Sequence, residues 1–331
     1  MTENNEITKP LVLNLKDKKI LMELDFGSRK TNAKIAREVG LKKQNVDYRI
    51  NNMLKKGIIT GFYPLVDPNR LGLKYCRLFI RFNNMTEEKE KQLLDEMTKD
   101  QRYRWIVRFE GRYDILFGVW VLSITEFKQI VDEFVSRHGT YIKDKIESIC
   151  TQLNHYPARY ILDTKKSCEI TMTEDEKSVM IDAKDSAILK SLSDNARKPL
   201  ISIAGELGIT AKVAAYRIKN MEKRGIIRGY RSNINSNILG YTHYKTLLYL
   251  NNVSEENIKK FKAYVKGDLH IVYFVEEVGL WNFDIECMFR TNQEYFGFIS
   301  DLRHKFPHMI REYETLIIEK TLKVSYVPPA L

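Results

Sequence analysis

The stretch Lys43-Gln44-Asn45-Val46-Asp47-Tyr48-Arg49-Ile50-Asn51-Asn52-Met53-Leu54-Lys55-Lys56-Gly57 carries Val46, Ile50, Met53 and Leu54 at i, i+4, i+7 and i+8. That spacing lines one face of a helix and leaves Gln44, Asn45, Tyr48, Arg49, Asn52 and Lys55 on the other, a polar and basic face. Upstream, Ile20, Leu21 and Leu24 share one side of a helix spanning Asp17 to Phe26. Asn32 reads as the cap of a second helix that runs to Val39, and Gly40 ends it. Helix, helix, turn, helix is thus the predicted order. Ile58 to Tyr63 reads as a short strand, the wing of a winged helix-turn-helix, with Pro64 to Asn69 as a hinge.

The same pattern is written a second time, 168 residues later and without a gap. Asp17 maps onto Asp185, Gly40 onto Gly208, Tyr48-Arg49-Ile50 onto Tyr216-Arg217-Ile218 and Gly57 onto Gly225. The match continues through Leu71-Gly72 onto Leu239-Gly240, Asn83-Asn84 onto Asn251-Asn252, and Gly111 onto Gly279. In the second copy Pro199 opens a helix, Thr210 caps the next one, and Val213 or Ala214, Ile218 and Met221 form its buried stripe. After each head the order of strand-like and helix-like segments is βαββαβ, a ferredoxin-like sandwich. The fold class is therefore α+β, with two winged helix-turn-helix domains alternating with two ferredoxin-like domains. The expected divisions are 1–66, 67–160, a Thr-, Lys- and Glu-rich exposed linker at 161–182, then 183–234 and 235–331.

The net charge of +11 is unevenly spread. Residues 15–62 carry +7 and residues 183–230 carry +6, so the heads hold +13 and everything else is at −2. A generally solvated basic surface would not concentrate the excess in this way, whereas phosphate-binding heads would. The longest apolar run, Ile115 to Ile124, is about half of what a bilayer requires and reads as a buried strand. With no basic and apolar leader at Met1 to Glu6, the expected location is cytoplasmic, without membrane contact. Cys76, Cys150, Cys168 and Cys287 lie far apart, which points to neither disulfides nor a metal site.

Asp194-Asn195-Ala196-Arg197, Ile203 to Thr210, Tyr216-Arg217-Ile218, Gly225 to Tyr230 and Leu239-Gly240 together resemble the Lrp/AsnC (feast/famine) regulators, over nearly the whole chain. The resemblance implies a DNA-binding head joined to a domain that senses a small effector, often an amino acid, and drives assembly. Typical members carry one unit per chain. The duplication therefore suggests a covalent pseudo-dimer, its sandwiches paired face to face, with further self-association to a homodimer as an open alternative. The expected partner is double-stranded DNA, contacted through Lys42, Lys43, Gln44, Asn45, Tyr48 and Arg49 in the first head and Lys212, Tyr216 and Arg217 in the second. Gln44 and Asn45 can pair with adenine edges, while Ala215 offers only contact with thymine methyls, so an asymmetric operator is expected. Tyr48 and Tyr216 fit either the core or a DNA contact, and Arg49 and Arg217 either a phosphate or a base. The family's sensing loop matches Gly111-Arg112-Tyr113-Asp114 and Gly279-Leu280-Trp281-Asn282, giving Gly111, Tyr113, Asp114, Gly279, Trp281 and Asn282 as effector residues. The same residues also read as tight turns between strands.

An enzyme is the rival class, because the siroheme decarboxylases, similar to this family, use the same two-domain fold for chemistry. That would need clustered His and Arg, whereas His138, His155, His243, His270, His304 and His308 are scattered and do not recur at the repeat offset. Pro307 interrupts the one metal-like spacing, His304 and His308, and no P-loop, G-x-G-x-x-G or nucleophile elbow is present. The expectation is a protein that is not an enzyme and needs no cofactor or metal; an adaptor that has lost DNA binding is the other alternative.

Overall fold

The computed structural model describes residues 10–164, 168–174, 177–251 and 254–326. The outer limits of the first and last expected domains, part of the expected linker (165–167, 175–176) and Asn252 of the repeat lie outside these. Among the described residues no helix is long and apolar enough to cross a membrane.

The first head consists of α1 (Leu15–Asp25), α2 (Asn32–Val39), α3 (Lys43–Lys55) and strand β1 (Ile59–Val66). Ile20, Leu21, Leu24, Ile35, Val46 and Ile50 meet in its core. Two details differ from the sequence reading. Thr31, not Asn32, is the N-cap of α2, because its shorter side chain reaches the amide of Lys34 while Asn32 turns to the Asp47 carboxylate. Pro64 to Val66, expected in a hinge, belong to β1, where they pair with the second unit.

The first ferredoxin-like unit follows as β2 (Lys74–Phe82), α4 (Glu87–Lys99), β3 (Tyr103–Glu110), β4 (Ile115–Val121), α5 (Ile124–His138) and β5 (Ile142–His155). The segment 161–182 is not simply an exposed linker. It contains a strand, β6 (Ile170–Thr173), hydrogen-bonded along β5 with Met172 buried, so an apolar residue within a polar stretch is enough to dock it. The second unit repeats the plan as α6 (Ala183–Asp194), α7 (Leu200–Leu207), α8 (Ala211–Lys223), β7 (Ile227–Ile234), β8 (Thr242–Leu250), α9 (Glu255–Gly267), β9 (Ile271–Val278), β10 (Phe283–Phe289), α10 (Asn292–Lys305) and β11 (Ile310–Val324). Gly40 and Gly208, equivalent in the repeat, end α2 and α7 at φ 65° and 61°, the left-handed conformation that glycine adopts without strain.

The ferredoxin-like sheets face each other as expected, with Phe79, Phe109 and Leu116 of the first unit meeting Leu247, Tyr249 and Trp281 of the second. They also join edge to edge: β3 pairs with β11, and β5 with β9. Because β5 also pairs with β2, the strands close in the order β2-β4-β3-β11-β8-β10-β9-β5, with β6 as an added strand outside the ring. This is an eight-stranded antiparallel barrel with the helices on its outside. The physical reason lies in the lengths of β5 and β11, 14 and 15 residues, which extend past their own sheets and satisfy edges that would otherwise be left open. Outward-facing residues such as Leu78 and Phe117 pack under α4 and α5, and Leu248 and Ile285 under α9 and α10.

Candidate nucleic-acid interface

The two heads are locked together by contacts that obey the repeat. β1 and β7 form a two-stranded antiparallel sheet, one wing from each head. Arg29 donates to the carbonyl oxygen of Ala196 at 2.5 Å and lies over the ring of Tyr230. Its equivalent, Arg197, donates to the carbonyl oxygen of Ser28 and lies over the ring of Phe62. Each guanidinium therefore grips the opposite head's turn while covering the opposite wing, a reciprocal clamp that sequence reading missed. Its signal was available, since Arg29 and Arg197 are 168 residues apart.

On α3, Lys42, Lys43, Gln44, Asn45 and Tyr48 are all exposed, and Tyr48 is 73% accessible. On α8, Lys212 and Tyr216 are exposed, Tyr216 at 71%. Both tyrosines thus stand outside the core. Leu54, expected in the buried stripe, is 38% exposed, and of Val213 and Ala214 it is Ala214 that packs inward.

Arg49 and Arg217 are placed differently from the other residues of the set. Arg49 donates to Asp17 at 2.6 Å and also reaches Asn14, the N-cap of α1. Arg217 donates to Asp185 and to Asp182, the N-cap of α6, at 2.8 Å each. In both heads the arginine ties the recognition helix to the first helix, with its charge opposed by carboxylate, and it is only half-buried by doing so. These ion pairs hold each arginine against the first helix of its own head.

The starts of the two recognition helices differ. Thr210 caps α8 by accepting from the amide of Val213, whereas Lys42 at the equivalent position offers no side-chain cap to α3. Head one therefore presents two lysines at a helix N-terminus without a side-chain cap, an arrangement suited to phosphate oxygens.

The expected effector residues lie in two equivalent turns, and the barrel brings Tyr113 and Trp281 into one cluster. Tyr113 and Trp281 are fully buried in an aromatic cluster with Phe79, Phe109 and Tyr249 that fills one end of the barrel. Asp114 accepts from the amide of Phe82, and Asn282, its equivalent, accepts from the amide of Leu250 at 2.9 Å. Acid and amide thus do the same job, closing a strand end on the backbone. Gly111 and Gly279 are needed for close approach, since a Cβ on Gly111 would lie 2.9 Å from Leu316 and one on Gly279 would lie 3.2 Å from the Glu147 carbonyl oxygen. All six residues have structural contacts in the turns that close the barrel.

Among the described residues no group of three His, Cys, Asp or Glu side chains could hold a metal ion. α10 stops at Lys305, before Pro307, and His304 is hydrogen-bonded back to Ser300.

Comparison with known proteins gives the following. The winged helix-turn-helix DNA-binding family matches at residues 13–60 and 181–228, once per head. The HTH-type transcriptional regulator LrpA of Pyrococcus horikoshii is 33% identical over 145 residues, 43% of this chain and 99% of that protein. The proline dehydrogenase transcriptional activator of Rhodobacter capsulatus is 35% identical over 126 residues, 38% of this chain and 82% of its own. Among solved structures, the siroheme decarboxylase NirDL superposes with a TM-score of 0.62 at 13% identity, covering 94% of this chain and 93% of its own, a likeness of fold. A relative matched over nearly its whole length by less than half of this chain, together with a head that matches twice, leads to one conclusion: the chain belongs to the Lrp/AsnC family, as a tandem duplication of the family's unit.

Proposed function

We propose that the chain binds double-stranded DNA in a sequence-specific manner and regulates transcription, as a binding protein and not an enzyme. The observation that carries this reading is the pair of exposed recognition helices held in one body by the Arg29 and Arg197 clamp, on heads that concentrate the chain's positive charge. Lys42, Lys43 and Lys212 supply phosphate contacts; Gln44, Asn45, Tyr48 and Tyr216 face the bases and sugars. Arg49 and Arg217 position these helices. One chain does the work of a dimer, because the wing sheet and the closed barrel give each unit the partner that a single-unit relative must find in a second copy.

The test is fluorescence anisotropy with a library of genomic duplexes across a salt series, using the full chain and Lys42→Ala/Lys43→Ala/Tyr48→Ala. Binding that weakens steeply with salt, and that the triple variant loses at least tenfold, is the expected result. Binding indifferent to all three substitutions would remove the recognition helix from the interface, and no binding at low salt would favour an adaptor that kept only the fold.

A further inference from the structure

The barrel is filled at one end and hollow at the other. Beyond the aromatic plug lies a layer of buried charge: Arg77 donates to Asp284 at 2.7 Å and to Glu277, and Lys245 donates to Asp284 at 2.7 Å and Glu286 at 2.9 Å. Past that layer, toward the heads, opens a cavity of about 670 Å³. Eight-stranded barrels either fill their interior with side chains or hold one small ligand, and this volume is in the range of small-molecule sites.

Three features, with missing partners counted among the described residues, distinguish the cavity from a packing defect, which would be apolar and dry. First, His155 lines it, is buried, and has no hydrogen-bond partner on either ring nitrogen. Burial, reinforced by the nearby Arg231, pushes its pKa down to about 3, so the ring is neutral and offers one donor and one acceptor. Second, two buried guanidinium groups in the lining keep an unused donor: Nη1 of Arg231, whose other nitrogens hold Asp25, and Nε of Arg77. Leaving such groups unpaired is costly, and an occupant supplying acceptor oxygens would remove that cost. Third, the walls are flat and aromatic: Tyr75 and Trp105 lie 5.4 Å apart on one side, while Tyr273 meets the His155 ring edge-on at 5.1 Å.

We propose that the barrel interior is a binding site for a small planar aromatic carboxylate, its ring between Tyr75, Trp105 and Tyr273 and its carboxylate accepting from Arg231 and His155. The site differs from the outer turns that carry Tyr113 and Trp281. Its roof belongs to the heads, since Asp25 ends α1, Tyr63 lies on β1 and Arg231 on β7, and all three line the cavity. An occupant therefore touches both wings. The consequence for DNA binding rests on the regulator reading above, but the site does not.

Calorimetric titration of the full chain with 2-naphthoate, without DNA, tests the site, with 2-naphthylmethanol as the uncharged control. One naphthoate per chain is expected, bound at least about tenfold more tightly than the alcohol. His155→Phe, which removes the imidazole, and Leu153→Trp, which fills the cavity from the β5 wall, are each expected to weaken it about tenfold or more. Absence of heat, equal affinity for the alcohol, or binding untouched by both substitutions would overturn the proposal. Should either variant fail to fold, the unaltered chain crystallised with 6-bromo-2-naphthoate decides: an anomalous bromine peak between Trp105 and Tyr273 supports the site, and a peak elsewhere or none overturns it. Failure of these arms leaves the DNA titration unaffected, so the two readings stand or fall separately.

Discussion

The arginine clamp between the two heads obeys the repeat, whereas the residues that face the barrel interior depart from it. Arg29 and Arg197 perform one reciprocal task in two places. Arg77 and Lys245 are also equivalent, and each keeps a cation at the same point of its sheet. Their acidic partners, however, all come from the second unit: Glu277, Asp284 and Glu286 stand where the first unit has Phe109, Leu116 and Gly118. Two identical chains could not divide labour in this way, since any acid added to one would appear in both. Fusion allows the acids to stand on one wall of the barrel alone, and a cavity with a polar floor follows from that freedom.

The sharpest break in the symmetry is also the place where substitution should cost most. Asp25 and Arg231 form a buried ion pair at 2.8 Å; at the equivalent junction stand Ser193 and Tyr63, with the Tyr63 ring stacked on Tyr326. Asp25→Ser leaves the guanidinium buried without its partner and is expected to cost about 3–5 kcal/mol. The double variant Asp25→Ser/Arg231→Tyr installs the other junction's solution and removes the stranded charge, so it should recover a large part of that loss. Denaturant unfolding of the three proteins measures this; a double variant as unstable as the single one would mean that the tyrosine solution cannot be transplanted.

The heads can be made more alike instead of less. Positions 210–213 of the second head correspond to Lys42, Lys43, Gln44 and Asn45. Replacing Thr210, Ala211, Lys212 and Val213 by Lys, Lys, Gln and Asn should turn an asymmetric selected operator into a near-palindrome and steepen the salt dependence by about one phosphate contact. A natural operator already palindromic would show that the sequence difference between the helices is not read.

Much of this was legible beforehand. The offset between Gly57 and Gly225 and the helical spacing through Val46, Ile50 and Met53 describe a local pattern, and local patterns survive folding. The edge-to-edge closure was not legible, because βαββαβ order specifies a sheet but not what meets its edges; only the overlong β5 and β11 hinted at it. The ion pair of Arg49 was hidden for a related reason. The arginine's position on the polar face was correct, but the carboxylate that opposes it, Asp17, lies on another helix. His155 looked like one of six scattered histidines, and its isolation becomes meaningful only once the barrel encloses it.

A smaller effect is expected at the start of α3. Lys42→Thr gives it the cap that Thr210 provides in α8, which should stabilise the first head by about 1 kcal/mol while weakening DNA binding. Thermal unfolding and anisotropy should therefore move in opposite directions; if both improved, the uncapped helix start would have no part in binding.

The least conspicuous prediction concerns the charged wall itself. Burial, with Asp284 nearby, pushes the Glu277 carboxyl up to about 7, only partly countered by Arg77 and Ser148, whereas Lys245 and His243 hold Glu286 well below the ordinary carboxylate range. Between the ordinary glutamate value of 4.5 and about 7, the folded chain holds a proton at Glu277 that the unfolded chain has released. Its contribution to stability is thus present at the acidic end of that window and lost as pH rises through it. Glu286 acts in the opposite sense, adding stability above its ordinary value and losing it in acid. Glu277→Gln keeps the acceptor for the Trp281 indole N–H but cannot ionise, so the Glu286 effect cancels in the comparison. Relative to the unaltered chain, the variant should gain stability steadily from pH 4.5 to 7 and level off beyond it. Unfolding midpoints that run parallel across this range would place the proton elsewhere in the cluster.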